Sequence, residues 1–122
     1  MAASATSPLS SSERVALQRL DDAIRHLRTA IDPNVPSQVI QALLAVAQNE
    51  GQPLSDYARL LGTNLSTASR QFHDLGERNR KMEPGYKLIE RQVDPSDLRV
   101  NRYFLTTKGR LLVRSLFEAW GR

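Results

Sequence analysis

Ser66, Thr67, Arg70, His73 and Asp74 put three kinds of hydrogen-bonding side chain, hydroxyl, cationic and acidic, within nine positions of the sequence. On a helix they fall opposite Leu65, Ala68, Phe72 and Leu75, which lie within about 80° of one another at 100° per residue. The polar face is short, rich in hydroxyls and centred on one guanidinium. Arg bonds guanine bidentately, while Ser and Thr hydroxyls reach base edges or phosphate oxygens, so the face suits a DNA major groove. A helical hairpin with a merely solvated face would carry similar residues, so the neighbouring elements have to decide.

Other chemistry is poorly served. His26 and His73 are the two histidines, and no third ligand stands at metal spacing. Asp21 and Asp22 are adjacent and point in different directions on a helix. The six glycines are scattered rather than gathered into a phosphate-binding loop, and no serine sits in a nucleophile elbow. The sequence has no cysteine, which removes disulfides, thiolate zinc and thiol nucleophiles. The expectation is a protein that is not an enzyme and takes no metal or cofactor.

The elements that must position the polar face are legible around it. Ser10 and Glu13 have capping-box spacing before Leu17, Leu20, Ile24, Leu27 and Ile31, which predicts an amphipathic helix over 13–31. Pro33 and Pro36 stop it. Ser37 is the expected cap of a second helix over 38–49, whose wide apolar stripe marks it as the central core element. Ser55 is the expected cap of a short helix over 55–61 with Tyr57, Ala58 and Leu61 inward. Gly62 then supplies a left-handed break, and Asn64 caps the polar-faced helix, expected over 65–81. Two helices joined by a three-residue turn containing Gly form a helix-turn-helix.

Beyond Pro84 and Gly85 the period changes. Residues 86–93 and 99–106 are rich in β-branched and aromatic types, and Asp94-Pro95-Ser96-Asp97 between them favours a type I turn. Such a hairpin makes the motif a winged helix. Its tip carries Arg99, which Asp97 can orient, and Arg102 follows on the second strand. Thr107 is the expected cap of a last helix bearing Leu111, Leu112, Leu116, Phe117 and Trp120. The predicted fold is mainly α (α+β), in the order α-α-α-α-β-β-α.

Composition agrees. The 122 residues suit one domain, and 40% hydrophobic with 25% charged residues suits a soluble globular chain. No apolar run approaches a membrane span, and residues 1–9 read as a disordered polar tail rather than a signal peptide. The net charge of +4 is uneven: up to residue 58 four Arg meet six acids, whereas residues 59–114 hold twelve Lys or Arg against six acids. A basic half beside an acidic half is the footprint of a polyanion-binding surface. A winged helix serving as a protein-interaction module, and a phage or plasmid replication or packaging factor, are the alternatives.

From about residue 36 to 117 the chain resembles the MarR-type winged helix-turn-helix regulators. The matching pieces are Ser66-Thr67-Ala68-Ser69-Arg70, Asp97-Leu98-Arg99 and Leu105-Thr106-Thr107-Lys108-Gly109, in that order. The resemblance implies a homodimeric, cytoplasmic transcription regulator of bacterial or phage origin that binds double-stranded DNA, by occlusion a repressor. Residues 37–106 would be the DNA-binding core of a single domain over 10–122, with 10–32 and 107–122 as dimerisation helices. Carried over, Thr67, Ser69, Arg70 and Arg99 would contact DNA. Leu20, Ile24 and Leu27 would pair with Leu116, Phe117 and Trp120 across the dimer axis. Three departures stand out. Nine residues, 77–85, separate the recognition helix from the wing strand, and their Arg78, Arg80 and Lys81 are expected at phosphates. The chain runs 13 residues past Gly109, short of the family's long C-terminal dimerisation helices. Without cysteine the oxidant response of some members is closed, and no effector pocket is marked.

Overall fold

The computed structural model describes residues 6–77 and 83–120. Its elements are α1 (Ser11–Ala30), α2 (Ser37–Gln48), β1 (Gln52–Pro53), α3 (Leu54–Leu61), α4 (Leu65–Leu75), β2 (Ile89–Asp94), β3 (Asp97–Leu105) and α5 (Thr107–Trp120). The predicted helices and hairpin are present, and β1 is added. Gln52 pairs with Tyr103 and Pro53 with Arg102, giving an antiparallel sheet of order β1-β3-β2. A proline is tolerated there because β1 is an edge and lacks a neighbour to receive an N–H.

Local chemistry explains the helix ends. Ser10 forms the full capping box: its hydroxyl accepts the Glu13 N–H at 3.1 Å, and the Glu13 carboxylate accepts the Ser10 N–H at 2.7 Å. Gly62 is left-handed at φ 66°, and the Asn64 side chain accepts the Thr67 N–H at 2.7 Å. Three expected caps are displaced toward the N-terminus by one or two residues. Pro36 and Pro53, not Ser37 and Ser55, are the N-caps of α2 and α3, their fixed φ holding the extended entry. Thr106, not Thr107, opens α5, accepting the Gly109 N–H on its hydroxyl at 3.0 Å.

α2 is the centre of the core, with Val39, Ala42, Leu43, Ala45 and Val46 buried. Around it pack Leu27, Tyr57, Phe72, Leu75, Leu88, Ile89, Leu105 and Leu112. Phe72 lies edge-on to Tyr103 at 4.9 Å and tilted against Tyr57 at 5.2 Å. These three rings join α3, α4 and β3 in one contact.

α4 ends at Leu75 rather than near residue 81. The returning chain claims the carbonyls at its end: the N–H groups of Tyr86, Lys87 and Leu88 donate to Asp74, Gly76 and Leu75 at 2.8–2.9 Å. For the same reason β2 begins at Ile89 and not at Tyr86, since those donors are already engaged. Further on, Leu88 meets the start of α5. The Thr106 N–H donates to the Leu88 carbonyl at 3.0 Å, and a Cβ on Gly109 would collide with that same oxygen. Gly109 is therefore a packing requirement.

Candidate nucleic-acid interface

The buried side of α4 is Ala68, Phe72 and Leu75, and small Ala58 on α3 lets the two helices close up. Leu65, the first residue of α4 and expected on that side, is exposed instead. Ser66, Arg70 and His73 stand exposed together on the outer face. Arg70 has no acidic partner among the described residues. Thr67 and Ser69 are half-buried, flanking that face rather than crowning it. Arg78, Arg80 and Lys81 lie outside the described residues.

Thr67 also lines an open cleft of about 230 Å³. Gln38 and Gln41 of α2, Thr63 of the turn and Gln71 of α4 line it too. The three-residue step from Gln38 to Gln41, which places both amides on one helix face, was the signal available. The cleft adds neutral donors and acceptors beside the outer face of α4.

At the far end of β2 and β3 the turn is built as the sequence suggested. Asp94 accepts the Ser96 N–H at 2.8 Å and the Ser96 hydroxyl at 2.7 Å on one oxygen. These bonds, with Arg102, hold the Asp94 carboxyl down at about 2. The ladder breaks between Val93 and Asp94, so residues 98–100 bulge from the second strand. On that bulge Arg99 is 90% exposed, with its Nε and Nη2 at 3.1 and 3.3 Å from the two oxygens of Asp97. The Arg99 side chain, foremost in this pair, pulls the Asp97 carboxyl below its ordinary range. A cation presented at a turn tip on a carboxylate strut is suited to a narrow, negative groove. Arg102 is placed differently. It turns back onto Asp94 and the Gly51 carbonyl instead of outward.

The other residues singled out by the sequence lie across the molecule on α1 and α5, which pack together. Ser115 donates to the Leu112 carbonyl and so accepts from His26 Nε2 at 2.6 Å. Leu20, Ile24 and Phe117 are exposed, and Leu116 is partly covered by the core. Leu27 is 5% exposed, packed inside this chain's own core, which corrects its expected place at an interchain face. The Trp120 side chain lies outside the described ones. Among the described residues no group of three or more His, Asp or Glu could hold a metal, and no helix is long and apolar enough to cross a membrane.

No protein-family model and no curated protein matches the sequence. Solved structures do. The chain is similar to the S. aureus MepR–DNA complex at a TM-score of 0.69 and 22% identity, over 89% of this chain and 81% of that one. The fold is that of the MarR-type regulators. A MarR-family transcriptional regulator from Silicibacter pomeroyi matches at 0.56 and 19% identity, over 89% of this chain and 66% of that one. The transcriptional repressor CouR, bound to a 23-mer DNA duplex, matches at 0.61 and 22% identity, over 93% and 79%. Within this fold, Arg70 lies on α4, the second helix of the helix-turn-helix, and Arg99 on β3 of the hairpin.

Proposed function

We propose that this chain is a sequence-specific, double-stranded DNA-binding transcription regulator that works as a homodimer and represses by occlusion. The observation that carries the reading is the pairing of two exposed arginines on separate rigid elements, Arg70 on α4 and Arg99 on the wing bulge. α4 would lie in the major groove, with Ser66, Arg70 and His73 at base edges and Thr67 and Ser69 toward the backbone. The wing would present Arg99 to the adjacent minor groove or its phosphates. The similar MepR and CouR structures are DNA complexes, and CouR is a repressor, which supports both the ligand and the sign of regulation.

Pairing of two copies would use Leu20, Ile24 and Phe117 on the α1–α5 side, with residues 10–32 and 107–122 forming the dimerisation region of a single domain. A two-fold pair of this kind binds half-sites about 10 bp apart. Arg78, Arg80 and Lys81 are proposed at phosphates flanking the major groove.

Selection of duplexes from a random pool, with the winners titrated at two salt concentrations, tests the reading. Enrichment of a two-fold motif with steep salt dependence is expected. Failure to bind any duplex at low salt would reject it in favour of a protein-interaction module.

A further inference from the structure

Arg102 ties the turn of the wing to the loop before β1 by hydrogen bonds at both ends. Its Nε donates to Asp94 Oδ2 at 2.8 Å, and its Nη1 donates to the Gly51 carbonyl at 2.9 Å. Asp94 is buried at the mouth of the wing turn, and its other oxygen holds Ser96. Gly51 belongs to the loop that enters β1. Its φ is +86°, a conformation open to glycine, and its N–H donates to the Tyr103 carbonyl at 2.8 Å. The loop is in turn fixed to α3 by the buried Tyr57, whose hydroxyl donates to the Asn49 carbonyl and accepts the Gln52 N–H at 3.3 Å. One guanidinium therefore ties the wing turn to the loop before β1, which Tyr57 fixes to α3, beside the Tyr103 ring that packs on Tyr57 and Phe72 directly. The Arg99–Asp97 pair, by contrast, closes within the wing itself.

The geometry points to Arg102 as a positioning residue: it sets the angle of the wing to α3, and thereby the place of Arg99 relative to α4. The inference rests on the DNA-binding reading of the wing. Its logic is preorganisation, since a wing held in its bound direction loses less freedom on binding. Two substitutions separate this role from a direct phosphate contact. R102K keeps the positive charge, but a lysine ammonium lacks the planar fork that reaches both acceptors. D94N removes a negative charge, which by charge alone would tighten binding to a polyanion.

The experiment titrates R102A, R102K and D94N, each alone and combined with R99A, against the duplex enriched from the random pool. Amide exchange of the wing strands is followed in the free proteins. All three variants are expected to bind about 3- to 10-fold more weakly, with faster exchange in β2 and β3 and unchanged exchange in α2. In the R99A background the losses are expected to vanish, because a wing without its contact gains nothing from being aimed. Wild-type affinity in R102K, tighter binding by D94N, or losses that persist beside R99A would each overturn the inference. Wild-type protein that binds no duplex would overturn the DNA reading itself, and the positioning role with it. That result is distinct from the others because it appears before any variant is made.

Discussion

α2 buries five of its twelve residues, whereas α1 buries two of its twenty. Both helices are amphipathic, and the difference lies in what covers them. The stripe of α2 is covered by α3, α4 and the sheet of the same chain. That of α1 leaves Leu17, Leu20 and Ile24 in water, about half exposed each, beside exposed Phe117 on α5. Burying such side chains is worth roughly 1.5–3 kcal/mol apiece, so a helix that leaves three uncovered is stabilised by whatever covers them. One helix holds the fold together. The other keeps part of its stripe uncovered, the part that the proposed dimer would bury.

Substitution of one leucine on each helix tests that contrast. Leu43→Ala in α2 removes a fully buried side chain and is expected to cost about 2–5 kcal/mol, read as a large fall in melting temperature. Leu20→Ala in α1 is expected to change the stability of a dilute, monomeric sample by no more than about 0.5 kcal/mol. Equal losses at both positions would show that α1 is also core. On the assembly side, Leu20→Asp together with Ile24→Asp should weaken self-association by about 100-fold or more while preserving the helical circular dichroism signal. Sedimentation velocity at several concentrations checks this, and unchanged association would move the dimer contact elsewhere.

α4 carries both kinds of surface on one helix, Phe72 inward and Arg70 outward. Arg70→Ala is expected to cost about 1–3 kcal/mol of binding to the selected duplex and to relax its sequence preference, with little change in melting. A melting loss without a binding loss would place Arg70 with the scaffold. The smallest effect concerns acid. Asp94 titrates at about 2 in the folded chain, below the ordinary 3.8 of an aspartate, so its bonds to Ser96 and Arg102 favour the fold while it is ionised. That contribution is complete above about pH 4 and is lost as pH falls toward 2. Urea melts across this window should show a shallower acid decline in D94N than in the wild type.

What the sequence disclosed depended on the range of the interactions. The Ser10 capping box, the Gly62 break and the Asn64 cap each involve residues within a few positions, and all three stand as read. β1 was hidden because its two residues acquire strand geometry only from Tyr103 and Arg102, some fifty positions away. The sequence does mark the end of α4 with Gly76, its C-cap, but the helix formers Glu77, Arg78, Arg80 and Lys81 beyond it favour a longer reading, while the carbonyls at the helix end are claimed by residues 86–88. Periodicity placed Leu20 and Leu27 on one stripe without distinguishing whose core each would enter. Arg102 looked like a second wing cation because nothing local showed that Gly51 would lie beneath it. At the candidate site the outer face of α4 and the Asp97–Arg99 strut were legible, while the glutamine cleft, assembled from α2 and α4, was not.

The contact between Gly109 and Leu88 bears on motion. Backbone meets backbone there, with no side chain between that could rotate away or compress. Leu88 is also hydrogen-bonded to the end of α4, and Thr106 to Leu88. The start of α5, the root of the wing and the tail of α4 thus share one rigid joint. Movement of any one of the three would have to carry the other two along or break those backbone contacts.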